Sequence, residues 1–167
     1  MDKNVQEPVK LFQYNTLGAL MAGLYGGTMT VGELLEHGDL GLGTLDSIDG
    51  EFSHMHVRMI PKSTPDTKFA DVATHQPEYS RDNVAGTIVG FWTPEIFHGV
   101  SVAGYHLHFI SDDLTFGGHV MDFVIKEGII EVGAVDQLDQ RFPVQDRQYL
   151  FAKFNVDEMK KDIEKAE

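Results

Sequence analysis

Three histidines fall close together in the stretch Gly104-Tyr-His-Leu-His-Phe-Ile-Ser-Asp-Asp-Leu-Thr-Phe-Gly-Gly-His-Val120. His106 and His108 are separated by one residue, a spacing that in a strand puts both imidazoles on one face. Tyr105, Leu107 and Phe109 then take the other. His119 follows a Gly-Gly pair that can return the chain to the same place. Three nitrogen ligands leave one position open for water or substrate, the pattern of a catalytic and not a structural zinc site. An ion held so would act as a Lewis acid toward the oxygens of a small substrate. The plainer alternative is three hydrogen-bonded histidines on a sheet surface.

Such chemistry needs two partners, a carboxylate that moves protons and a cation that steadies negative charge. Arg58, in Phe52-Ser-His-Met-His-Val-Arg-Met-Ile-Pro61, is a candidate cation that alternation places on the face of Phe52, His54 and His56. Its plain reading is an ordinary surface arginine. Glu51 and the C-terminal Glu167 are candidate carboxylates, and the plain readings are a solvated strand end and a frayed terminus. A second His-x-His pair, His54 and His56, lacks a third histidine behind a glycine turn. Its next neighbour in sequence, His75, lies beyond a proline-containing loop, so this pair reads as polar histidines of the surface or core. His37 and His98 sit near glycines and read as loop residues.

The elements that must position these groups belong to a chain of 167 residues, enough for one domain or two small ones sharing a core. A hydrophobic content of 42% with 11 Phe suffices for a sizeable interior. A net charge of −13 argues against nucleic acid and anionic membrane surfaces as partners. The absence of cysteine removes disulfides, thiolate metal sites and cysteine nucleophiles. No apolar run reaches membrane-spanning length and no apolar core follows the first eight residues, so a cytoplasmic protein is expected.

Residues 1–10 are polar and read as a loose tail. Residues 11–60 read as a short N-terminal β region, and residues 61–167 as a C-terminal β domain that carries the histidines and a terminal helix. Within the first region, residues 11–14 suit a strand, and Asn15-Thr16 can cap a helix bearing Leu17, Leu20 and Met21. Thr30 and Glu33 have capping-box spacing. Residues 44–48 and 51–60 read as two strands around an Asp49-Gly50 turn. Residues 69–75 suggest a short helix or irregular stretch. From residue 85 the pattern is strongly β, with strands over 86–92, 100–110, 119–126, 129–135 and 149–154. Asn155 or Asp157 then caps a helix whose apolar Met159 and Ile163 lie four apart. The fold class is mainly β with short helices (α+β): packed mixed or antiparallel sheets, or a partial barrel, plus a C-terminal helix.

These residues also resemble a known family, the bacterial α-acetolactate decarboxylases. The matching segments are Thr16-Leu-Gly-Ala-Leu-Met-Ala-Gly-Leu-Tyr25, Gly32-Glu-Leu-Leu-Glu-His-Gly-Asp-Leu-Gly-Leu-Gly-Thr44, Asn83-Val-Ala-Gly-Thr-Ile-Val-Gly-Phe-Trp-Thr-Pro94 and the histidine stretch itself. The resemblance implies a zinc lyase that converts (S)-2-acetolactate to (R)-acetoin and CO₂, through an enediolate whose oxygen pair chelates the metal. It implies His106, His108 and His119 as zinc ligands, Arg58 as the active-site arginine and Thr44 as a pocket threonine. Glu51 matches the first active-site glutamate by its spacing from Thr44. Glu167 matches the second, with Glu164 the weaker candidate. The family carries further strands between its Asp-Gly-Glu turn and the segment leading to its arginine. Here Ile48-Asp-Gly-Glu-Phe52 serves as the end of one and the start of the other, so Glu51 fits either spacing.

Two rival classes stay open. A cupin-type enzyme also uses His-x-His, with iron and a carboxylate ligand close behind, but no glutamate lies within four residues after His108. A shortened, non-catalytic relative would retain the metal site alone. Exposed strand edges in so short a version suggest a homodimer.

Overall fold

A computed structural model describes residues 9–14, 19, 30, 33, 46–60, 72, 76–133, 135–153 and 155–166. Thr44, Glu167, the helix expected after Asn15-Thr16 and most of the 69–75 stretch lie outside the described residues. Among the described residues six strands are formed: β1 Val9–Tyr14, β2 Asp46–Arg58, β3 Glu78–Thr93, β4 Gly104–Ser111, β5 Gly117–Val132 and β6 Val135–Arg141. Two helices follow, α1 Arg147–Phe151 and α2 Val156–Ala166. Strands β2–β3–β4–β5 close into an antiparallel barrel, while β1 and β6 pair in parallel as a separate two-stranded sheet. The mainly β class expected from the sequence is the class observed. β2 belongs to the barrel wall built by β3 to β5, and β1 pairs with β6, so residues on either side of position 60 share sheets.

Alternation fills the barrel. Phe52, Met55, Val57, Val84, Ile88, Phe109 and Phe116 form its buried core, with Leu107, Val120 and Phe123 packed against it. Phe52 meets the Phe109 and Phe123 rings edge-on at centroid distances of 5.3 and 5.8 Å, the arrangement favoured by aromatic quadrupoles. Phe52 and Met55 both point inward although they are three apart, which strict alternation forbids. The register against β5 shifts on both sides of Phe52, and opposite Ser53 on β3 lies Asn83 with a positive φ of 50°. The faces of β2 exchange there, so Phe52 lies on the core side and His54, His56 and Arg58 on the other. The expected common face of Phe52 and Arg58 is corrected accordingly.

The expected Asp49-Gly50 turn is absent: β2 runs unbroken through it for 13 residues. Gly50 lies opposite Gly86 on one side and Gly128 on the other, and a Cβ on Gly50 would collide with the Glu127 carbonyl. Glycine serves here for close backbone approach. The same holds for the break expected near Gly128, which β5 passes without interruption. The strand expected over 149–154 is the short helix α1, because the Asp146 carboxylate accepts the Gln148 N–H at 2.8 Å and caps it.

Other local readings hold. Glu33 accepts the Thr30 N–H at 2.7 Å and Thr30 Oγ1 accepts the Glu33 N–H at 3.2 Å, the reciprocal pair of a capping box. Asn155 Oδ1 accepts the N–H groups of Asp157 and Glu158 at the start of α2, whose Ile163 is buried. β1 begins at Val9, inside the expected tail, and Lys10 there pairs with Asp139 of β6 at 3.0 Å. No helix among the described residues is long and apolar enough to cross a membrane.

Candidate metal centre

The histidines converge because three local devices agree. β4 alternates as expected, burying Phe109 and turning His106 and His108 to the outer face of the barrel. The hairpin to β5 is fixed by Asp113, which accepts hydrogen bonds from Ser111 Oγ at 2.6 Å, Thr115 N–H at 3.0 Å and Thr115 Oγ1 at 2.7 Å. Those bonds hold the Asp113 carboxyl far below the usual carboxylate range. The returning strand then sets His119 directly across from His108. Side chains opposite one another in a ladder share a face, so the third imidazole joins the first two.

Ring centroids lie 5.1 Å apart for His106–His108, 4.9 Å for His106–His119 and 5.4 Å for His108–His119. One ring nitrogen of each falls within 4.8 Å of the others. Nitrogens bound to one tetrahedral ion at 2.0–2.1 Å are roughly 3.4 Å apart, so small ring rotations close the set on a cation. Among the described residues this is the one group of three or more candidate ligands gathered closely enough to hold a metal ion. An all-imidazole set suits zinc and also copper, iron or nickel.

Arg58 ends β2 directly across from His119 and, on its other side, across from Glu78. It is 8% exposed, which sets it apart from an ordinary surface arginine. β4 and β5 stay paired only from His108–His119 to the hairpin, and toward Gly104 they splay. A cleft of about 470 Å³ occupies the splay, lined by Tyr105, Leu107, His119, Val120, Met121 and Asp122 among others. The triad, the arginine and the cleft therefore adjoin.

Glu51 is not brought to them. It lies seven residues before Arg58 on the same strand, roughly 23 Å away at about 3.3 Å per residue. There Glu51 accepts a hydrogen bond from Lys126 Nζ at 2.7 Å, which raises the Lys126 pKa. Glu164 falls within α2.

Sequence reasoning missed the acidic partners of the second His-x-His pair. His54 Nδ1 lies 2.7 Å from Asp82, and His56 reaches Asp122 at 2.9 Å and Glu78 at 3.1 Å. No motif joins these residues. The only signal is Asp122 three positions after His119, an odd offset that becomes meaningful once the ladder is known.

The sequence profile of the alpha-acetolactate decarboxylase family matches residues 11–53 and 47–156. Among similar curated proteins, the alpha-acetolactate decarboxylase of Streptococcus thermophilus is 59% identical over 239 residues, covering 98% of this chain and 100% of that protein. That of Lactococcus lactis subsp. cremoris is 48% identical over 236 residues, again covering 98% and 100%. A solved structure from Staphylococcus aureus, described as a protein of unknown function similar to alpha-acetolactate decarboxylase, superposes with a TM-score of 0.85 at 32% identity, covering 95% of this chain and all of that one. The alpha-acetolactate decarboxylase of Bacillus subtilis strain 168 shares the fold, with a TM-score of 0.82 at 22% identity and coverage of 95% and 99%. The Streptococcus alignment spans 239 residues and this chain has 167, so at least 72 aligned positions face no residue here. Both profile segments claim residues 47–53, in the first half of β2.

Proposed function

The chain belongs to the alpha-acetolactate decarboxylase family of carboxy-lyases, and we propose that it converts (S)-2-acetolactate to (R)-acetoin and CO₂ at a zinc centre held by His106, His108 and His119. The observation that carries this reading is the convergence of three imidazoles beside a buried arginine set directly across from one of them. Zinc bound there would supply a Lewis acid for the neighbouring hydroxyl and ketone oxygens of the substrate. Arg58 orients the departing carboxylate with its planar fork and offsets the negative charge left as CO₂ separates. Burial strengthens that interaction, since competing water is excluded.

A glutamate then delivers a proton to one face of the substrate and so fixes the handedness of the product. Glu51 is engaged by Lys126 and distant along β2. The role passes to Glu167, which the resemblance supplies together with the pocket threonine Thr44; Glu164 is the weaker alternative. We place the enzyme in the cytoplasm as a homodimer. Among the described residues, β5 beyond Val120 pairs only with β2, which leaves a strand edge to which a second copy can add.

A second reading, a shortened relative that binds metal without turnover, is favoured by the unmatched positions and by the placement of Glu51. Elemental analysis and an acetoin colour assay on the purified protein decide between them. Zinc with acetoin formation supports the decarboxylase. Zinc without acetoin selects the shortened relative, and iron selects the cupin-type alternative.

A further inference from the structure

We propose that His56 is a positioning residue for the metal centre: by tying β5 to β3 across β2, it holds a bulge at Met121 that turns His119 outward. The inference rests on the metal reading above and extends it to residues that touch neither ion nor substrate. On β2, His56 lies opposite Asp122 and the next residue, Val57, lies opposite Val120. Met121 is thus the extra residue of a bulge, which reverses the faces of a strand on its two sides. Val120 and Phe123, three apart, both pack on the core, and His119 and Asp122, also three apart, both lie on the outer face. Regular alternation from Asp122 would turn His119 inward and break the triad.

The bulge falls where a tie is built. Asp122 Oδ2 lies 2.9 Å from His56 Nδ1, and Glu78 Oε2 lies 3.1 Å from Nε2. Both ring nitrogens thus face carboxylates, one on each neighbouring strand. Glu78 is also the residue across from Arg58, so the same imidazole fixes the strands on both sides of the arginine. Bulges next to active sites commonly re-aim a side chain, and here the imidazole supplies the clamp.

The test compares His56→Phe, His56→Gln, Asp122→Ala and Asp82→Ala in the full chain. Amide hydrogen exchange at residues 119–122 is read without metal, and cobalt(II) affinity and absorption spectrum are read by titration. For His56→Phe and Asp122→Ala we expect exchange about 10-fold faster and cobalt affinity lower by about 10–100-fold with an altered spectrum. His56→Gln keeps a donor for Asp122 and should return affinity to within about 3-fold of the parent. Asp82→Ala removes the partner of His54 on β3, leaves His54 Nε2 at 3.8 Å from Asp122, and should change neither reading. Unchanged exchange and spectrum in both His56→Phe and Asp122→Ala overturn the proposal, as does an equal loss in Asp82→Ala. If His56→Phe does not fold, Asp122→Ala against Asp82→Ala decides. A parent protein that binds no cobalt defeats the metal reading instead, and the exchange comparison then judges His56 alone.

Discussion

Two His-x-His pairs lie on separate strands of one barrel, β2 and β4, with β3 between them on one side and β5 on the other, and their neighbours divide their fates. His106 and His108 on β4 face a third imidazole across the ladder, whereas His54 and His56 on β2 face Asp82, Asp122 and Glu78. Spacing on a strand gives both pairs a common face, but the cross-strand partner sets the chemistry. An imidazole among imidazoles can share a cation. An imidazole between carboxylates, as His56 is, has its pKa raised above the ordinary value and ties the strands that carry them. Histidine serves both purposes because its charge changes near neutral pH.

The comparison breaks most visibly at the triad. His119→Ala should lower metal affinity by more than about 100-fold, since a full zinc site binds with roughly 10–16 kcal/mol shared among its ligands. Calorimetric titration checks this, and a His54→Ala protein should keep its affinity. Arg58→Lys should retain metal and lose turnover by about 100-fold, because an ammonium cannot reproduce the planar fork; steady-state acetoin formation reads the loss. An unaltered rate would remove Arg58 from the reaction.

The two pairs should also answer pH in opposite directions. Asp122 first, then Glu78, raise the His56 pKa above its ordinary 6.5 against the opposing effect of burial. The groups facing it are His54 and Arg58 on β2, Glu78 and Asp82 on β3, and Asp122 on β5. A raised folded pKa means that stability from this tie is complete below about 6.5 and is lost as pH rises through the folded value. The melting temperature of the metal-free protein should therefore fall over that interval, and the fall should vanish in His56→Phe. Metal binding displaces protons from its ligands, so apparent metal affinity should rise with pH instead. The smallest effect is expected at Lys126→Met, where loss of the exposed Glu51 pair should cost less than about 1 kcal/mol in denaturant unfolding. A drop in turnover with that substitution would return Glu51 to consideration.

The triad was legible because period-two alternation is a local signal, and the caps at Thr30 and Asn155 were legible for the same reason, whereas the turn expected at the Gly-Gly pair falls instead at Asp113, with Gly117 and Gly118 inside β5. What escaped depends on neighbours far along the chain. Asp49-Gly50 has turn chemistry, yet Gly50 is needed bare where β3 and β5 press against it. The exchange of faces after Phe52 and the bulge at Met121 are properties of pairing register, which no single strand records. Tyr149-Leu-Phe151 suits a strand by composition, but the cap at Asp146 decides for helix.

One property of the ladders bears on how this molecule can be handled. Among the described residues, every strand pairing of β2, β3, β4 and β5 is made within that set, between Asp46 and Val132, and the strands outside it pair only with each other. The stretch that holds the imidazoles thus shares no rung with its flanks, although β5 beyond Val120 keeps an open edge. It is a natural cassette for transplantation, with seams at positions where cutting the chain severs no rung.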